Sequence, residues 1–243
     1  MTRNEWISKC NHWKTNWQTI TEEHLDDRSG LNIYAVLDAV NKFSKEEDII
    51  MGDAGSISYA GPVALKSKPN QRFVFSPAQA DMGWALPASI GVSLASNRRV
   101  ISITGDGSLM SNIQEFAVIR NHNLNIKTII LNNGGYLSIK NTQTKFFQGR
   151  VFGTGCDSGL WFPDFSKVAD CFNIPFKRAE NIKELHNIFA EIDSNEPAIV
   201  ECVCVRNQEI YPSQALKNGK QAPLHDMAPF LSDEVLNGEM ISK

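Results

Sequence analysis

Apolar positions along the chain follow two rhythms that take turns. Ile33, Val36, Leu37, Val40 and Phe43 recur at helical spacing and predict a helix over 31–43. The short apolar run 48–51 ends in Gly52-Asp53 and predicts a strand feeding a turn. Phe73 to Phe75 predicts another. Residues 82–95 mix small and large apolar side chains with helical period in spite of Pro87. Val100 to Thr104 is a strand that runs into Gly105-Asp106-Gly107, and 113–119 is a helix. Ile126 to Leu131 is nearly continuous apolar strand and ends in Asn132-Asn133-Gly134-Gly135. A helix over 164–172, a short strand at Phe176, a helix over 182–192 and a strand over 197–205 complete the series.

The strands are rich in β-branched residues and lack polar alternation, so both of their faces must be covered. Helices separate them, which makes the pairing parallel and the crossovers right-handed. The expected fold class is therefore α/β, a doubly wound, mostly parallel sheet with helices on both faces. Three regions follow: an N-terminal helical extension over 1–30, the α/β domain over 31–205, and a tail or lid over 206–243 rich in Pro, Asn, Gly and polar residues. In the first, Trp6, Trp13 and Trp17 share one helix face, which predicts a peripheral helix packed on the main body.

Composition narrows the class. Of 243 residues, 42% are hydrophobic and 21% charged, which excludes wholesale disorder and fibrous architectures. The formal charge is −3, with 24 basic against 27 acidic residues, so the basic excess expected of a nucleic-acid binder is missing. Lys66, Lys68, Arg98 and Arg99 sit beside turn residues and read as solvated surface. Five cysteines occur without a CxxC; Cys202 and Cys204 would share one side of a strand as small buried hydrophobes. That usage points to a reducing compartment. A secretory signal and an apolar run of membrane-spanning length are both missing, and the expectation is a cytoplasmic protein without membrane contact.

Chemistry concentrates at two strand ends. In open parallel sheets ligands bind beyond the carboxyl ends of the strands. If the strands ending at Gly105 and Asn132 are neighbours, Asp106 offers a carboxylate, Asn133 an amide oxygen, and a carbonyl near Gly135 a third oxygen. Such a set suits magnesium, with phosphate oxygens completing its octahedron. The N–H groups of Gly107 and Ser108 lie where a helix begins and can meet a phosphate. Two ordinary capped turns would leave the same residues. Neither GxGxxG nor a Walker motif is present in these loops.

Gly105-Asp-Gly-Ser108 followed by Asn132-Asn133, with 24 residues between Gly107 and Asn132, resembles the thiamine-diphosphate motif. Residues 82–91, 105–115, 130–136 and Pro163-Asp164-Phe165 extend the likeness to the acetolactate synthase large subunit and its relatives, over about 30–212. The resemblance implies a thiamine-diphosphate-binding fold with thiamine diphosphate and Mg2+ as cofactors. It makes Asp106 and Asn133 the side-chain metal ligands, with the Gly135 carbonyl as third. Gly105, Gly107 and Ser108 would hold the diphosphate, and Met82 would pack under the bent cofactor. The implied activity is decarboxylation of a 2-oxo acid, followed by protonation or addition to a second carbonyl.

Departures shape the rest of the expectation. Family enzymes are more than twice this length, and the likeness covers their last domain. Their catalytic glutamate belongs to a first, pyrimidine-binding domain, so no catalytic residue is assigned here. The expected arrangement is one subunit of a split enzyme, a hetero-oligomer whose partner chain brings that glutamate. The alternative is a non-catalytic truncated fragment or cofactor-binding module. Residues 52–59 lack the Gly-Gln-His of acetolactate synthases, and Ser76 to Asp81 replaces a glycine-rich stretch, which argues for a different product. Asp53, Ser56, Gln79 and Asp81 become supporting or substrate-facing candidates, each more readily read as a turn or cap residue. Lys140 or Arg150 could pair with a substrate carboxylate or phosphate. Trp161 and Phe162 could line the mouth or belong to the core. The five histidines show no metal spacing and receive no chemistry.

Overall fold

Every predicted strand lies in one six-stranded sheet of the computed structural model, which describes residues 1–241. The chain runs α1 (Arg3–Asn16), α2 (Ile33–Phe43), β1 (Ile49–Gly52), α3 (Ser56–Ala64), β2 (Arg72–Phe75), α4 (Ala85–Ser96) and β3 (Val100–Gly105). A single turn α5 (Asp106–Leu109) leads to α6 (Phe116–Asn121), β4 (Ile126–Asn132) and α7 (Leu137–Phe146). Then come α8 (Phe165–Cys171), β5 (Phe176–Ala179), α9 (Ile182–Glu191) and β6 (Ala198–Val203). The strand order is β2-β1-β3-β4-β6-β5, and every pair in it is parallel.

The unbroken apolar runs are explained by cover on both sides. Ile49, Met51, Val100, Ile126, Ile130 and Ile199 share one face and pack with apolar residues of α4, α6 and α8. The alternate residues Ile50, Ile101, Ile103, Ile129 and Val200 are equally buried and belong to the opposite face. There α2 packs with α3 and α9. Each such side chain contributes about 1.5–3 kcal/mol on burial.

Residues 1–208 form one compact unit, and a second begins at Glu209, slightly later than the expected boundary after 205. The second unit contains a hairpin, β7 (Leu216–Lys217) with β8 (Lys220–Gln221), and α10 (Asp233–Glu239), whose N-cap Ser232 accepts from the Val235 N–H. Lys217 ties it internally, with its Nζ 2.7 Å from Asp226. Among the described residues no helix is long and apolar enough to cross a membrane.

Several local expectations need correction. The tryptophan helix forms, but α1 buries none of its residues; apart from Trp6, Ile7, Cys10 and Trp13 its positions are polar, and Trp17 lies just beyond it as the C-cap, so no packing stripe results. Trp6 and Trp13 meet each other edge-on at 5.9 Å instead. Residues 56–64, for which no element is predicted, are helical, with burial of Ile57, Ala60 and Ala64 outweighing the breakers Gly61-Pro62. The helix expected from Met82 starts at Ala85, because Gly83 takes φ +80° in a turn, and Pro87 falls in the first turn, where a missing N–H is harmless. Residues 113–115 form a 3-10 turn ahead of α6. Arg99 is not solvated surface: its side chain is 8% exposed and pairs with Asp48.

Candidate functional site

The β3–β4 register sets Gly105 against Leu131, so residues 106–108 and 132–135 leave the sheet side by side. Asp106 opens the α5 turn and is 1% exposed. Its Oδ1 accepts the Gly107 N–H at 2.9 Å, while Oδ2 is buried with no hydrogen-bond partner among the described residues. Asn133 Oδ1 is buried and unpartnered in the same way. Burial pushes the Asp106 carboxyl up to about 7, and the neighbouring backbone N–H groups, that of Gly107 first, only partly offset it.

Glycine is required around these oxygens for steric reasons. A Cβ on Gly107 would stand 2.2 Å from the Tyr136 ring. Gly135 has φ +149°, and its Cβ would stand 1.9 Å from the Thr154 carbonyl oxygen. That carbonyl accepts the Tyr136 N–H at 2.7 Å, clamping the loop after β4 against residues 154–155. The Gly135 carbonyl accepts the Leu137 N–H at 3.2 Å, which leaves one lone pair. A Cβ on Gly105 would meet nothing, and Ser108 is buried.

One carboxylate oxygen, one amide oxygen and one carbonyl are hard donors of the kind magnesium takes alongside phosphate oxygens. Among the described residues no three His, Cys, Asp or Glu side chains gather, so softer metal chemistry has no candidate cluster. The two orphaned oxygens therefore fit the implied cation.

The structure gathers Asp106, Gly107, Ser108, Asn133 and Gly135, and places the other candidates around them. Asp53 is 2% exposed. Its Oδ1 accepts the N–H groups of Ala54 and Gly83 at 2.7 and 2.9 Å, and its Oδ2 accepts the Thr104 hydroxyl at 2.9 Å. Burial raises its pKa, and these bonds pull the other way. With both oxygens hydrogen-bonded within the chain, Asp53 supports the turn that carries Met82. Asn112 Nδ2 donates to the Gly83 carbonyl and holds that turn from the other side. Met82 itself is 45% exposed. Gln79 is exposed beside Ala80, which has φ +54°, and Ser76 closes this loop onto Asp81. Ser56 begins α3. Lys140 lines a cavity with Asn133, Gly135, Asp157 and Arg206, and its Nζ lies 3.8 Å from Asp157. Arg150 is exposed, as is Trp161, while Phe162 meets Tyr136 edge-on.

Sequence reading missed Thr104, Asn112 and Glu201. Glu201 carried a visible signal, a lone acid inside the apolar run 198–205. It is buried and accepts Asn132 Nδ2 at 2.6 Å and Arg178 Nε at 2.7 Å. Cys202 and Cys204 are both buried as expected, and burial raises their thiol pKa values.

Fold and loops together define a class, a parallel α/β domain with buried open oxygens at the carboxyl edge of its sheet. Comparison with known proteins makes this specific. Residues 53–202 match the family described as thiamine pyrophosphate enzyme, C-terminal TPP binding domain, and the chain belongs to that family. It is 27% identical over 212 residues to the acetolactate synthase large subunit of Pyropia yezoensis, covering 86% of this chain and 35% of that protein. It is 28% identical over 207 residues to the pyruvate oxidase of Lactiplantibacillus plantarum, covering 83% and 34%. The acetolactate synthase large subunit of Buchnera aphidicola subsp. Schizaphis graminum is 26% identical over 220 residues, 88% of this chain and 38% of its own length. The chain thus spans a little over a third of the length of these relatives.

Proposed function

We propose that this chain is the diphosphate- and magnesium-binding part of a thiamine-diphosphate-dependent enzyme that decarboxylates a 2-oxo acid, ending in protonation or carboligation. The observation that carries the reading is the pair of buried, unpartnered oxygens, Asp106 Oδ2 and Asn133 Oδ1, on adjacent strand tips. These two, with the Gly135 carbonyl, would hold Mg2+, and Gly105, Gly107 and Ser108 would border the diphosphate. When bound, the cofactor supplies the stabilisation of negative charge that decarboxylation needs. The chain binds and orients. Asp53 and Asn112 fix the Met82 turn, Tyr136 packs over Gly107, and Lys140 places a positive charge near Asn133 for a substrate carboxylate.

The remaining requirement is an acid at the cofactor's pyrimidine ring. Glu201, the glutamate bonded into this site, is committed to Asn132 and Arg178. The acid would come from a pyrimidine-binding domain on a partner chain, making the active enzyme a hetero-oligomer. Five free cysteines support a reducing, cytoplasmic setting. The test is the mass of the native complex, isolated gently with magnesium and thiamine diphosphate. A second polypeptide, together with 2-oxo acid turnover by the complex, is the expected result. A mass built of this chain alone, without turnover, would favour a non-catalytic cofactor-binding module.

A further inference from the structure

Asn132 has a role separate from that of its neighbour. Its Oδ1 accepts the Gly134 N–H at 3.0 Å, and Gly134 follows the residue whose Oδ1 is left open. That bond exists only if the Asn132 amide points its oxygen toward Gly134, which turns its NH2 toward Glu201. Glu201 dictates the choice. An ionised carboxylate only accepts, so it draws Nδ2 to itself, at 2.6 Å. Its second oxygen accepts from Arg178 Nε at 2.7 Å. Arg178 in turn donates to Asp164 at 2.9 Å, and Asp164 caps α8 through the Ser166 N–H. The register lines these residues across neighbouring strands, with Arg178 opposite Glu201 and Glu201 opposite Ile130, two residues before Asn132. The Glu201 side chain is 4% exposed, whereas Arg178 and Asp164 sit at the partly exposed edge.

We infer that Glu201 is a positioning residue for the metal loop, acting through the Asn132 amide on the Gly134 peptide so that Asn133 Oδ1 faces the cation, with Arg178 and Asp164 anchoring it. The inference rests on the reading of the site given above. It also gives the Pro163-Asp164-Phe165 segment a function, as the outer end of this ladder.

Glu201→Gln preserves shape and reverses one polarity. The single carbonyl oxygen of the new side chain goes to Arg178, its NH2 faces Asn132, and the Asn132 amide must turn a donor toward the Gly134 N–H. Adding Arg178→Met frees that carbonyl oxygen to accept from Asn132 again. Two readouts apply to the full chain: amide hydrogen exchange of peptides covering 132–136 without metal, and magnesium affinity in the presence of thiamine diphosphate. Glu201→Gln is expected to raise exchange in 132–136 and weaken magnesium at least tenfold each, with the melting temperature nearly kept. The double variant is expected to recover both. Asn132→Ser, which leaves the Glu201–Arg178 pair intact, is expected to show the same loss. Wild-type exchange and affinity in Glu201→Gln would overturn the inference, as would faster exchange spread evenly over all strands or a double variant worse than the single. A wild-type chain that binds no magnesium overturns the reading of the site and the ladder's role toward a metal. The exchange rates then still decide whether Glu201 orders the loop.

Discussion

At the amino ends of the strands, Arg99 donates to Asp48 at 2.8 Å and to Asp193 at 2.7 Å, Lys45 also holds Asp193, and Lys127 gives its ammonium to the carbonyls of Ser194 and Glu196. At the carboxyl ends, Asp106 is just as deeply buried but one of its oxygens has no partner among the described residues, and neither has Asn133 Oδ1. The first cluster completes its hydrogen bonds within the chain and serves the fold. The second leaves two buried oxygens open among the described residues. Burial of a charge therefore does not by itself mark a site; a buried carboxylate with an open oxygen, beside a second open oxygen on the neighbouring strand tip, is what singles out this one.

The largest effect is expected at the first cluster. Arg99→Ala would leave Asp48, whose side chain is 4% exposed, without its cation, and should cost about 3–5 kcal/mol of unfolding free energy in a denaturant titration. Cofactor affinity of the folded fraction should be unchanged. Next comes Gly135→Ala, where a Cβ would press on the Thr154 carbonyl and φ is already +149°. It should lose metal-dependent cofactor binding and about 1–3 kcal/mol of stability, measured on the same samples.

Acidity should separate the two ends by sign. Asp106 holds its proton up to about 7, because of burial, whereas unfolded it would titrate near 3.8. Between those values the folded, metal-free chain binds the extra proton, so this group's contribution to stability is present below the unfolded value and is lost as pH rises toward 7. Asp193 has a lowered pKa, chiefly through Lys45, so its contribution is present above the ordinary carboxylate range and is lost as pH falls through the lowered value. Thermal melts of wild type and Asp106→Asn from about pH 2 to 7 read the difference. The asparagine variant should flatten the loss at higher pH and leave the acid limb in place. The smallest effect belongs to His225→Ala: this exposed residue of the second compact unit should leave cofactor affinity at its wild-type value.

Much of the architecture was legible because both covered faces of a parallel sheet demand unbroken apolar runs, and each of those runs became a strand. Asp106 and Asn133 could be singled out because Gly and Asn at strand tips mark tight turns whose polar oxygens are set beyond the sheet. Asp53 was left between a supporting and a substrate-facing role, since a carboxylate after a strand reads the same whether it meets substrate or a set of backbone and hydroxyl donors. Arg99 misled for the opposite reason: nothing local shows that Asp48 lies beside it in the fold. Helix α3 was hidden by Gly61-Pro62, and the emptiness of α1 by tryptophans that contact each other. The Asp164–Arg178–Glu201–Asn132 ladder joins four segments far apart in sequence, so only the strand register reveals it.

The most direct measurement is a calorimetric titration of thiamine diphosphate into the full chain, with and without magnesium, for wild type and Asp106→Ala. Binding is expected to depend on magnesium and to fall at least tenfold in the variant, about 1.4 kcal/mol. Equal affinity in both proteins, or binding indifferent to magnesium, would contradict the assignment of Asp106 to the metal.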